Sequence, residues 1–236
     1  MQGLFELLGI PYVGPNVLSA SVTMDKDVTK RLLRDAGIPI TPWITWQVGD
    51  EELVYQEVVS KLGNDVFVKP ANSGSSLGVT HVMTEDKWQE AIDLAKEHDA
   101  KILVERSVKG KEMQVSVLGN EQPEVSEICE IIIGADFHDF EDKYSSRSGA
   151  QFFIPARISE EQRQQVRQWA LDGYKATGGW GMARVDFLVD ENDNVVLSEI
   201  NSIPGFTSVS IYPRLWREGG VPYPKLVNRL IDLALQ

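Results

Sequence analysis

Residues 181–206 read GMARVDFLVDENDNVVLSEINSIPGF, and this stretch decides the fold. Val185, Phe187 and Val189 alternate with Arg184, Asp186 and Leu188, the pattern of a strand with two unlike faces. Glu191-Asn192-Asp193-Asn194 is turn chemistry, and Val195 to Asn201 returns as a second strand, so the whole predicts a β-hairpin. Strand side chains repeat every second residue. Arg184 therefore shares a face with Asp186, and Glu199 shares one with Asn201. A short hairpin can set those faces side by side, which gathers two carboxylates, one amide oxygen and one guanidinium in a small volume. Hard oxygen ligands with one neutral member suit Mg²⁺, which leaves other positions to water and phosphate. A solvated hairpin face with no ligand would carry the same residues, so the pattern alone leaves both readings open.

The chain around this hairpin has 236 residues, 42% of them hydrophobic, enough for one large or two small domains with a sizeable core. Its formal charge is −12 with no basic block, which argues against a general nucleic-acid binder. A polyanion such as ATP stays compatible if basic side chains and Mg²⁺ are concentrated locally. Cys129 is the only cysteine, which excludes an intrachain disulfide and a cysteine-based metal site. It lies in the apolar run 128–133 and reads as a buried, inert thiol. No signal peptide and no bilayer-length apolar run is recognisable, so the expected location is cytoplasmic, with no membrane partner.

Upstream, Gly3 to Leu8 predicts a helix stopped at Gly9, and 11–14 a short strand. Asn16 is placed to cap a helix over 17–22, and Asp25 another over 26–36, on which Lys26 and Lys30 lie one turn apart. Residues 42–46 read as extended and 53–62 as a helix. A strand over 65–70 ends in Lys69-Pro70. The loop Ala71-Asn-Ser-Gly-Ser-Ser-Leu-Gly78 follows, then a strand over 79–83. That loop lacks the Walker pattern. Its backbone N–H groups and the hydroxyls of Ser73, Ser75 and Ser76 suit phosphates, but an ordinary hairpin loop would look the same. Residues 84–98 predict a helix, and 102–105, 113–118 and 125–133 predict strands. The polar segment 136–150, which holds Lys143-Tyr144, is long enough to cover a site. Ser159 to Gln162 is a capping box opening a helix to about residue 177, and 211–218 and 224–235 read as closing helices. His81, His98 and His138 show no ligand spacing.

Six motifs occur in order: Met24-Asp25-Lys26, Val68-Lys69-Pro70, Gly74-Ser75-Ser76-Leu77-Gly78, Lys143-Tyr144, Arg184-Val185-Asp186, and the run from Glu199 to Thr207. Together they resemble the D-alanine–D-alanine ligases of bacterial cell-wall synthesis, of the ATP-grasp superfamily, over nearly the whole chain. The resemblance implies an α+β (α/β) ATP-grasp fold with two α+β subdomains clasping the nucleotide. Residues 1–22 would be the remnant of an N-terminal domain, 23–108 the central subdomain, and 109–236 the C-terminal subdomain with the metal and substrate site.

The resemblance also implies ATP as co-substrate and two Mg²⁺ (or Mn²⁺) held by Asp186, Glu199 and Asn201. Lys26 and Lys69 would contact the phosphates, Glu105 the adenine, Glu112 the ribose hydroxyls, and Phe137 the purine. Arg184 would face the transferred phosphate and the developing oxyanion. Ser75, Lys143, Tyr144, Gly205 and Ser210 would line the D-alanine and acyl-phosphate sites. In the implied reaction the carboxylate of one D-alanine takes the γ-phosphate, and the amine of a second attacks the acyl phosphate. The chain opens where the relatives' N-terminal domain would be ending, which implies an incomplete first-substrate site and weak dipeptide synthesis. Ser107 stands where some relatives carry tryptophan, and Trp180 is unexplained. Two other readings stay open: another ATP-grasp carboxylate–amine ligase, or a nucleotide-binding fragment without ligase activity. Homodimerisation is left open.

Overall fold

A computed structural model describes residues 1–132, 151–207 and 209–236. Its strands form two antiparallel sheets with helices packed on them. The first has four strands: β1 (Trp43–Gln47), β2 (Val66–Pro70), β3 (Thr80–Val82) and β4 (Lys101–Arg106), in the order β1-β4-β2-β3. Val66 and Val68 of β2 alternate with Phe67 and Lys69, so one face is fully apolar. That face packs on α4 (Tyr55–Leu62) and α5 (Trp88–Lys96) through Val58, Leu62, Trp88, Ile92, Ile102 and Val104. Lys69 and Glu105 therefore point to the opposite face.

The second sheet has five strands: β5 (Gly110–Leu118), β6 (Glu124–Ile132), β7 (Gln151–Phe153), β8 (Met182–Asp190) and β9 (Val195–Asn201), in the order β7-β6-β5-β8-β9. Met113, Val115, Val185, Phe187 and Leu197 bury one face against α6 (Glu160–Ala176), which contributes Val166, Ala170 and Tyr174. A side chain such as Phe187, 1% exposed, stabilises by about 1.5–3 kcal/mol on burial. The other face is covered at one end by α7 (Ile211–Glu218), through Ile211, Tyr212 and Leu215, with α8 (Tyr223–Ala234) behind it. Cys129 lies under α7 with no exposure, and burial pushes its thiol up to about 12.

Three helices precede the first sheet: α1 (Gln2–Leu8), α2 (Val17–Met24) and α3 (Lys26–Asp35). Asp25 caps α3 by accepting from the N–H groups of Asp27 and Val28, both at 3.1 Å. Leu33 of α3 and Ile38 after it join the core of the second sheet, and the N–H of Leu197 donates to the Pro39 carbonyl at 2.8 Å. Residues 26–40 thus pack with the larger sheet while preceding the smaller one in sequence.

The strand expected at 11–14 does not form. Pro11 has no N–H to give a ladder, and among the described residues no strand runs beside it. The short β7 escapes sequence reading because three residues show no periodicity. The helix expected from 53 begins at Tyr55, and that expected over 84–98 opens with a 3₁₀ turn at Glu85–Lys87 before α5.

Candidate active site

The face of the second sheet left open by α7 looks across at the polar face of the first. Between them lies a cavity of about 710 Å³. Its wall on one side carries Arg184, Asp186, Glu199 and Asn201, and on the other Lys26, Lys69 and Glu105. The loop Ser73 to Leu77 closes one edge, the connector Arg106 to Val108 another, and Gly205 a third. Glu112 lines it too.

A bulge places the hairpin carboxylates. Arg184 pairs with Asn201 and Asp186 with Glu199, whereas Phe187 pairs with Leu197, so Ser198 is the extra residue. Strict alternation from Val195 and Leu197 would send Glu199 into the core. The bulge turns Glu199 and Asn201 to the cavity side instead. Arg184 closes a two-pronged ion pair on Asp186, Nε to Oδ1 at 2.7 Å and Nη2 to Oδ2 at 2.8 Å. Asn201 Nδ2 donates to Asp186 Oδ2 at 3.3 Å, and Lys26 Nζ stands 3.9 Å from Glu199 Oε1. Among the described residues no group of three His, Cys, Asp or Glu side chains gathers as a metal cage. The hairpin brings two carboxylates and an amide, Asp186, Glu199 and Asn201, together on this wall.

Opposite, the Glu105 carboxylate is ion-paired to both Lys30 and Lys69. Burial on its own would raise its pKa. The two ammonium groups outweigh that and hold it down at about 2. The Glu105 carboxylate, implied at the adenine by the resemblance, is held by the two lysines and lines the cavity beside connector residues 106–108. Burial also pulls Lys26 and Lys30 below the usual lysine range, with Glu199 and Glu105 respectively pulling back. Lys26 donates to the Ser73 carbonyl, which ties α3 to the Ser loop.

Ser75 and Ser76 both adopt left-handed backbone, φ 54° and 56°. Non-glycine residues held there cost about 1–3 kcal/mol each, and such strain concentrates at ligand-facing loops. Gly78 ends the loop at φ 72°, where a Cβ would stand 2.9 Å from the Pro70 ring, so only glycine fits.

Ser210 lies beyond the lining. Its hydroxyl accepts from the Thr207 N–H at 3.0 Å, within the turn before α7 and against Gly205. Phe137, Lys143 and Tyr144 lie outside the described residues, as does the expected covering segment 136–150. Two site residues escaped the sequence reading. Lys30 was noted only as one turn from Lys26. Gln114 is 4% exposed, pairs in register with Asp186 and lines the cavity, and its Oε1 has no hydrogen-bond partner among the described residues. The signal for Gln114 was available: Glu112, Gln114 and Ser116 alternate with Met113, Val115 and Val117.

The family described as D-ala D-ala ligase C-terminus matches residues 32–232. The chain is 45% identical over 237 positions to D-alanine–D-alanine ligase A of Escherichia coli (strain K12), covering all of this chain and 65% of that protein. Among solved structures, the D-alanine-D-alanine ligase from Coxiella burnetii superposes with a TM-score of 0.86 at 39% identity, over 99% of this chain and 64% of that one. The VanG D-Ala:D-Ser ligase from Enterococcus faecalis gives 0.89 at 36% identity, over 99% and 68%. The chain thus spans about two thirds of the length of these relatives. Its two sheets with the cavity between them are the α+β ATP-grasp fold, and the chain belongs to the D-alanine–D-alanine ligase family, matching its C-terminal part.

Proposed function

We propose that this chain carries the nucleotide, metal and phosphoryl-transfer site of an ATP-dependent ligase that joins two D-alanines through a D-alanyl phosphate. The observation that carries this reading is the single cavity that sets Lys26, Lys69 and the Ser loop against Arg184, Asp186, Glu199 and Asn201. Phosphoryl transfer asks a protein for alignment and charge neutralisation more than for covalent chemistry, and these residue types supply both. We place the two nucleotide-clasping halves at 23–108 and 109–236, residues 26–40 of the first crossing over to pack on the sheet of the second, with 1–22 belonging to a preceding domain.

The donor set fits a hard dication: two carboxylates and one amide, whose oxygen faces Asp186 once the amide is turned over. Asp186, Glu199 and Asn201 would hold Mg²⁺, or Mn²⁺, two ions in all. When bound, the metal supplies charge neutralisation at the phosphates. Lys26 and Lys69 bind phosphate oxygens. Ser75 and the strained loop around it cover the phosphates and exclude water, which would otherwise hydrolyse an acyl phosphate. Glu112 takes the ribose hydroxyls. Arg184 gives up one prong on Asp186 and turns to the transferred phosphate and then to the oxyanion of the tetrahedral intermediate. Gly205 and Ser210 shape the D-alanine end, and by resemblance Phe137, Lys143 and Tyr144 close the purine and substrate sides.

The test is ADP release and dipeptide formation from ATP, Mg²⁺ and D-alanine, with D-serine and D-lactate as alternative acceptors. D-alanine-dependent ADP release with D-alanyl-D-alanine as product supports the reading. A product formed only with another acceptor supports a different carboxylate–amine or carboxylate–hydroxyl ligase. Nucleotide binding with no acid-dependent ADP release supports a binding fragment.

A further inference from the structure

Lys69 reaches the cavity already paired with Glu105, and an ammonium matched by a carboxylate has little net charge to offer a phosphate. Glu105 is also paired with Lys30, which is 2% exposed and does not line the cavity. Lys30 has few other contacts. Its Nζ lies 3.3 Å from the Thr41 carbonyl and 5.6 Å from the Trp43 ring centre. The Lys30–Glu105–Lys69 chain therefore holds two cations and one anion, with the anion in the middle, and the neighbouring Lys26–Glu199 pair adds no net charge to it.

We propose that Lys30 is a positioning residue that neutralises Glu105 from behind, so that the charge of Lys69 remains available to an anionic phosphate chain in the cavity. The geometry supports a division of labour. Glu105 Oε1 faces Lys30 and Oε2 faces Lys69, so each lysine has its own oxygen. The carboxylate fixes where Lys69 points, and Lys30 supplies the charge that this fixing would otherwise consume. Lys30 reaches the cluster because α3 spans the two sheets: Leu33, three residues on, is seated in the core of the second sheet, while Lys30 faces β4 of the first. This inference rests on the reading of the cavity as a nucleotide site.

The experiment measures binding of magnesium tripolyphosphate and, separately, Mg·ATP by calorimetry. The first probe has no base, so any contact between Glu105 and adenine drops out. Three proteins are compared with the wild type: Lys30→Met, Glu105→Gln, and the double variant. Each is first checked for cooperative thermal unfolding. The expected pattern is a loss of about ten-fold or more in tripolyphosphate affinity for Lys30→Met, because Lys69 is then fully matched by Glu105. Glu105→Gln removes the matching anion while its amide oxygen still accepts from Lys69, so tripolyphosphate binding strengthens by about two- to five-fold. The double variant recovers most of what Lys30→Met lost. If Lys30 served the fold alone, the loss in Lys30→Met would follow a lowered melting temperature and not respond to salt; a loss unchanged by ionic strength, or a double variant as weak as Lys30→Met, overturns the proposal. Should Lys30→Met fail to fold, Glu105→Gln decides: tripolyphosphate binding that is unchanged or weaker overturns the proposal, and stronger binding supports it. Wild-type protein that binds Mg·ATP but not tripolyphosphate overturns the inference while leaving the nucleotide site standing. Wild-type protein that binds neither removes both.

Discussion

Arg184 and Asp186, two residues apart on β8, close a two-pronged ion pair at 2.7 and 2.8 Å on the cavity wall. The guanidinium thus occupies both oxygens of a carboxylate that the proposed function needs for a metal ion. Bidentate pairs of this kind are among the stronger hydrogen-bonded contacts in proteins. Metal and Arg184 must therefore compete for Asp186, and a ligand phosphate that draws Arg184 away would favour metal binding.

This competition predicts effects of opposite sign in one variant. Arg184→Gln should raise Mn²⁺ affinity in the absence of nucleotide by several-fold, because Asp186 is released. The same variant should lose about 10²–10³ in turnover, the usual cost of removing a donor aimed at a developing oxyanion. Paramagnetic titration measures the first and ADP release the second. Weaker metal binding without nucleotide would show that Arg184 organises Asp186 for the ion and does not compete with it.

Glu105 predicts a pH dependence of stability. Its pKa in the folded protein is about 2, below its ordinary 4.5, so the unfolded chain binds more protons than the folded chain between those values. The stabilisation is fully present above pH 4.5 and is lost as pH falls through about 2. Glu105→Gln should flatten the fall in unfolding free energy between about pH 5 and 2, measured by urea titration. An unchanged slope would mean that the Lys30 and Lys69 pairs persist in the unfolded chain.

Gln114, 4% exposed and next to Asp186 on the adjacent strand, offers an amide oxygen with no partner among the described residues. A buried acceptor of this kind costs stability unless a donor meets it. Gln114→Met should therefore leave the melting temperature of the ligand-free protein equal or higher, while weakening Mg·ADP binding by about five- to ten-fold. A lower melting temperature with unchanged affinity would make Gln114 a structural residue only.

The hairpin was legible in sequence because Val185, Phe187 and Val189 alternate with half-buried neighbours, of which Arg184, Asp186 and Asp190 are charged. Its second strand was only half legible. Glu199 and Asn201 do share a face, but period-two counting from Val195 and Leu197 assigns that face to the core, and only the extra residue Ser198 reverses it. The capping box at Ser159 and the cap at Asp25 were readable because each is a local contact within three residues. The Lys30–Glu105–Lys69 cluster was not, since its members come from α3, β4 and β2 and meet only through tertiary packing. The grouping of α3 with the second sheet was hidden for the same reason: Leu33 looks identical in sequence whichever core it enters.

The central claim is that one cavity binds a nucleotide through metal held by Asp186, Glu199 and Asn201. Calorimetric titration of ADP with and without Mg²⁺, in wild-type protein and in Glu199→Gln, tests it most directly. Glu199 faces Asp186 across the hairpin and stands 3.9 Å from Lys26, so the substitution removes one anion without disturbing the core. The account predicts Mg²⁺-dependent binding by the wild type and a loss of at least about ten-fold, roughly 1.4 kcal/mol, in the variant. Binding of equal strength in both proteins, or binding indifferent to Mg²⁺, would contradict it.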